Sequence, residues 1–170
     1  MSFRSISLAC LLSLAGCGPK APEIVHVGDA NFRFPRDPFY RSITDEGASK
    51  PSFVAYVTPE KDRRRSISLE YDSSENIKDR TDAERQGLPY IFRGSFQFRY
   101  AHDAFIVRRP WGTSICLRKA IKVGLLRNCA ANVTYRGARW VVYFQHDMLD
   151  DPENVTARGL SVLRAYTIDA

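Results

Sequence analysis

Between residues 90 and 100 the chain alternates strictly. Tyr90, Phe92, Phe96, Phe98 and Tyr100 share one parity and Arg93, Ser95, Gln97 and Arg99 the other, so a strand there is aromatic on one face and polar on its back. Gly94 interrupts the aromatic side and marks a bulge or a close backbone approach. The aromatic face reads as core, with a lipid-holding groove as the sharper alternative. The same period runs through Ile67, Leu69 and Tyr71, which alternate with Ser66, Ser68, Glu70 and Asp72. With the apolar run 53–57 this second strand predicts a hairpin whose tip, 58–65, is charged. An earlier small hairpin or bulged strand is expected from the apolar runs 24–27 and 31–35, which flank Gly28-Asp29.

Further strands are predicted at 104–109, 114–117, 131–136 and 139–145, the last two joined by a turn at Gly137-Ala138. Residues 35–52, with three prolines, and 73–87, polar and dense in charge, read as loops. After Asp150-Asp151-Pro152-Glu153 the period changes. Val155, Leu160, Leu163 and Tyr166 approximate one helix face, and the acids before them suit the positive end of the helix dipole, although Gly159 weakens the helix. The pattern predicts a β-rich α+β fold over 24–170, a single domain built as an antiparallel sheet or sandwich with one C-terminal helix.

The N-terminus carries a different pattern. One cation, Arg4, precedes the apolar stretch 6–14, which is followed by Ala15, Gly16 and Cys17. The stretch is too short for a span of about 20 apolar residues. The sequence Leu14-Ala15-Gly16-Cys17 resembles the lipobox of bacterial lipoproteins. That resemblance implies a signal peptide over 1–16, cleavage before Cys17, acylation of Cys17 with palmitate among the chains, and a tether over 17–23. Gly18 stands where such proteins carry Asp when they stay in the inner membrane. The resemblance therefore implies the outer membrane, with the domain facing the periplasm and held by the N-terminal acyl chains.

This address changes how charge and cysteines are read. Processing would remove Arg4 and no acid, lowering the net charge from +6 to +5. Nucleic acid is not an expected partner in the periplasm, whereas acidic protein, lipid phosphate and cell-wall carboxylate are. Of the four cysteines, Cys10 falls in the signal peptide and Cys17 is the lipid site. In an oxidising compartment Cys116 and Cys129 read as one disulfide between neighbouring strands, worth about 3 kcal/mol for a loop of that size. A catalytic cysteine served by His102 or His146 is the alternative.

No nucleophile elbow, zinc-protease motif or phosphate-binding glycine loop is present. His26, His102 and His146 are scattered, and the pairs His102-Asp103 and His146-Asp147 read as turn residues before they read as acid–base groups. A non-enzyme with no cofactor and no metal is expected. Two loops stand out as contact surfaces: Arg63, Arg64 and Arg65 on the hairpin tip, and Arg108, Arg109 and Trp111 around Pro110. Arginine and tryptophan are enriched among interface hot spots. The plainer readings are a solvated charge run for the first and a tryptophan covering the core for the second.

Asn31-Phe32-Arg33-Phe34-Pro35, then Tyr40, then an alternating strand closing on Val57-Thr58-Pro59-Glu60, resembles small periplasmic lipoproteins encoded beside type VI secretion effectors. Their role is immunity, chiefly against phospholipase toxins. The resemblance implies a protein that binds and neutralises a secreted antibacterial toxin. The alternative is an envelope binding or assembly lipoprotein recognising lipid, glycan or an outer-membrane complex.

Overall fold

The computed structural model describes residues 23–35, 40–44, 49–73, 104–124 and 127–168. The lipobox-like sequence Leu14-Ala15-Gly16-Cys17, the aromatic run 90–100, His102 and the charged stretch 74–87 lie outside the described residues. Two antiparallel sheets and a C-terminal helix form a β-rich α+β fold. The larger sheet contains β3 (Tyr40–Ile43), β4 (Phe53–Val57), β5 (Ser68–Asp72), β6 (Ala104–Arg109), β7 (Gly112–Leu117), β8 (Cys129–Tyr135) and β9 (Ala138–Phe144), in the order β3-β4-β5-β9-β8-β7-β6. The smaller contains β1 (Val25–Val27), β2 (Ala30–Phe32) and β10 (Thr167–Ile168), with β2 in the middle. A short helix α1 (Arg118–Lys122) follows β7, and the long helix α2 (Val155–Tyr166) leads directly into β10. No helix among the described residues is long and apolar enough to cross a membrane.

The register of the large sheet shows why these sequences form these strands. Tyr56 lies opposite Leu69, Leu69 opposite Val142, and Val142 opposite Ala131, so every second residue of four strands falls on one face. That face is covered by α2 and by the small sheet, and it buries Tyr56, Leu69, Trp140, Val142 and Phe144 with Phe32 and Phe34. Fully burying each such side chain contributes about 1.5–3 kcal/mol. Phe34 sits among aromatic rings, stacked on Tyr56 at 5.0 Å and on Phe32 at 5.5 Å, with Trp140 edge-on at 6.1 Å. Offset and edge geometry of this kind is the favourable one for ring quadrupoles.

The opposite face carries a second, smaller buried group, Ala130, Val141 and Tyr143, with Ile115 against it. Ser68, polar in the alternation and expected at the surface, is therefore 2% exposed. The reason is physical: burial on a sheet's second face depends on what lies across it, which the strand's own period does not encode.

Residues 35–52, read as one loop, contain β3, which pairs with β4 through Tyr40↔Tyr56 to Ile43↔Phe53. Its mixed polarity suits an edge strand. The β8–β9 turn falls on Arg136-Gly137, one residue earlier than expected, because Ala138 already pairs with Tyr135. Both turn residues have positive φ, 42° and 71°, as a two-residue hairpin turn of type I′ requires. The N-terminal hairpin turn docks on this one: the Asp29 amide donates to the Arg136 carbonyl at 2.8 Å, and a Cβ on Gly28 would lie 2.3 Å from that oxygen.

Helix α2 is capped by Asn154, and its first turn contains no acid, the acids standing before the cap. The Asn154 side chain accepts from the Ala157 amide at 2.7 Å, a cap worth about 1 kcal/mol. Gly159 is the point of closest approach to the sheet, where a methyl would stand 2.7 Å from Val142 Cγ2. The residue that weakens the helix as a sequence is thus the one that lets it lie on the strands. Cys116 and Cys129 face each other across β7 and β8 with Cα atoms 4.1 Å apart and are joined by a disulfide.

Candidate interaction surface

The two arginine-bearing loops converge on one acidic pair. Residues 146–150 form a 3-10 turn whose Met148 and Leu149 are buried in the core, which fixes Asp150 and Asp151 at its end. Arg65 donates to both carboxylate oxygens of Asp151, Nη1 to Oδ1 at 3.3 Å and Nη2 to Oδ2 at 2.9 Å. Arg109 reaches Asp150 Oδ1 through Nε at 3.2 Å and Nη2 at 2.7 Å. Two neighbouring carboxylates therefore hold segments 86 and 41 positions away in sequence. Two-pronged pairing is what the guanidinium fork favours.

The first loop is built from its base upward. The Thr58 amide donates to the Ile67 carbonyl at 3.0 Å, and the Ile67 amide donates to Thr58 Oγ1 at 3.0 Å, so the neck is closed by buried groups. Above it, Arg63–Arg65 make a 3-10 turn capped by Asp62, whose carboxylate accepts from the Arg64 amide at 2.9 Å. Ser66 Oγ donates to the Arg63 carbonyl at 2.7 Å. Glu60 pairs with Arg158 on α2. With Glu60, Asp62 and Arg65 engaged, the exposed side chains of Lys61, Arg63 and Arg64 have no ion-pair partner among the described residues. The loop presents a fixed, basic tip.

The second loop divides differently. Arg108 and Arg109 are successive residues of β6, so they point to opposite sides of the sheet. Arg109 is held by Asp150, while Arg108 is exposed. The turn itself is Pro110-Trp111, and Trp111 packs partly against the main core. Of the six arginine and tryptophan residues singled out from the sequence, Arg65 and Arg109 are thus tied within the fold, Trp111 rests on the core, and Arg63, Arg64 and Arg108 face outward.

The two described histidines, His26 and His146, are not brought together. His26 and Asn31 are cross-strand partners in the small sheet, Nδ1 to Oδ1 at 3.0 Å. His146 begins the 3-10 turn, where its amide donates to Asn128 Oδ1 at 2.7 Å and its ring lies 6.1 Å from that of Phe105. Among the described residues there is no cluster of three or more His, Cys, Asp or Glu that could hold a metal.

Sequence reasoning missed Asp150, Asp151, Glu60 and Arg158 as the groups that orient the loops, since a long-range ion pair leaves no local trace. It also missed Tyr56, whose hydroxyl donates to Tyr166 Oη at 3.2 Å from 110 positions away. Burial raises the Tyr56 phenol well above its ordinary range, with the Tyr166 hydrogen bond, the Tyr166 charge and the Glu60 carboxylate adding in the same direction. Comparison with protein-family models, with curated proteins and with solved structures returns no match to this chain.

Proposed function

We propose that this protein is a lipid-anchored, periplasm-facing binding protein that neutralises a secreted antibacterial toxin by covering its active site. The observation that carries the reading is the basic tip at Arg63 and Arg64, tied to the rest of the fold by the Asp62 cap, by Arg65–Asp151 and by Glu60–Arg158. A tip fixed before contact loses little conformational entropy on binding. Its charge steers an acidic surface toward it and penalises a basic one. Inhibition of this type needs occlusion alone, which agrees with a sequence in which no nucleophile elbow, zinc-protease motif or phosphate-binding glycine loop is present. The lipobox and the resemblance to immunity lipoproteins support an encounter in the compartment where an incoming effector would act.

The test is co-production with the secreted effector encoded beside the gene, followed by pull-down and a survival assay. Binding and protection are expected, and Arg63→Glu with Arg64→Glu should weaken the complex at least tenfold while leaving the unfolding temperature nearly unchanged. A chain that neither binds the adjacent gene product nor protects against it is not an immunity protein, and the envelope-binding reading then takes its place.

A further inference from the structure

Charge along this chain is segregated. Eight of the 25 lysines and arginines, and none of the 19 acids, fall within residues 104–146, which leaves 17 cations against 19 acids elsewhere. Half of the eight, Arg118, Lys119, Lys122 and Arg127, stand in the short loop closed by the Cys116–Cys129 disulfide, which contains no acid. The loop is well anchored at its base. The disulfide is buried, the Leu117 amide donates to the Asn128 carbonyl at 3.0 Å, Ile121 packs against the core, and the Arg118 guanidinium lies 4.9 Å over the Phe105 ring. After α1 the chain turns at Gly124, with φ 68° and its amide donating to the Ile121 carbonyl at 3.0 Å. At that turn Lys122 is exposed, and Val123, at 62%, is the most exposed large apolar side chain among the described residues.

We propose that this stapled loop docks on an anionic phospholipid surface, with Val123 entering the headgroup layer and Arg118 and Lys122 over lipid phosphates. An exposed apolar side chain with exposed cations beside it in the chain is what the membrane interface selects: the side chain gains from leaving water, and each cation near the surface adds electrostatic attraction. The absence of any acid from the loop favours lipid phosphates over a protein partner, because a uniformly negative plane meets every cation at once. This inference goes beyond toxin neutralisation and does not depend on it; an acyl tether at Cys17 would only raise the local concentration of the loop at the bilayer.

The experiment reads the loop and not the tether. The full-length protein carrying Val123→Trp, in the form the cell makes, is incorporated into vesicles with brominated acyl chains, and the emission of the parent's Trp111 and Trp140 is subtracted. In vesicles containing phosphatidylglycerol the new tryptophan should be quenched and blue-shifted. In pure phosphatidylcholine it should not. Lys122→Gln in this background should lower the docked population about fivefold, Arg118→Glu with Lys122→Glu should abolish quenching, and 1 M salt should do the same. A cooperative thermal unfolding transition close to the parent's shows that each variant has folded. Absence of quenching in both lipids overturns the proposal, as does equal quenching in both. Capture of an acidic protein through Arg118 and Lys122, with the introduced tryptophan unquenched, would assign the loop to a protein contact and overturn it too.

Discussion

At the scale of single residues, the core is set by a few side chains whose neighbours come from far along the chain. Tyr56 is the clearest case. Its phenol is protonated in the fold to a higher pH than in the unfolded chain, so its contribution is fully present below the unfolded value near 10 and is lost as pH rises through it toward the higher folded value. The wild-type protein should therefore lose stability above about pH 10. Tyr56→Phe should cost about 1 kcal/mol at neutral pH through the lost hydrogen bond. It should also flatten that alkaline decline, as thermal unfolding from pH 7 to 11 will measure. An unchanged decline would mean that other tyrosines set it.

At the scale of elements, alternation told most of the story. The hairpin of β4 and β5, the strands β6 to β9 and the terminal helix all follow periods visible in the sequence, because one face of each meets the shared core. What was not visible has a common cause. The edge strand β3 is too polar to declare itself, and the helix cap Asn154 was hidden behind four more conspicuous residues. The disulfide was legible only by eliminating the other cysteines, and it joins residues directly opposite on β7 and β8. Replacing both cysteines by alanine should cost about 3 kcal/mol, measured by urea unfolding with the slope fitted for each protein, since the freed unfolded chain exposes more surface and steepens it. A shift below a few tenths of a kcal/mol would show that strand pairing alone holds this part of the sheet.

At the scale of the whole molecule, the candidate surface was half legible. The arginines were evident, but which of them face outward was decided by Asp150 and Asp151, whose reach to Arg109 and Arg65 exists only in the folded chain. These pairs are positional devices before they are sources of stability. Arg65 is 54% exposed although Asp151 is only 16%, so water screens the pair from the arginine side and a double-mutant cycle on Arg65→Ala and Asp151→Ala should give a coupling of about 1 kcal/mol at most. Amide exchange across the tip around Arg63 and Arg64 should nevertheless quicken in either variant. A coupling of several kcal/mol would make the tip a structural keystone and reverse that view. The charge segregation that singles out the disulfide loop was, by contrast, open to inspection in the sequence, and it was missed because net charge averages it away.

The two-residue strand β10 has a consequence for time as well as for shape. Phe32 pairs with Thr167, so the small sheet cannot close until nearly the whole described chain is available. Closing so long a loop is entropically costly and comes late in folding. During export through a membrane the N-terminal hairpin would therefore emerge first and yet finish last, with Phe32 and Phe34 uncovered in the interval. On the proposed periplasmic address, a protein with this connectivity has reason to meet a chaperone early.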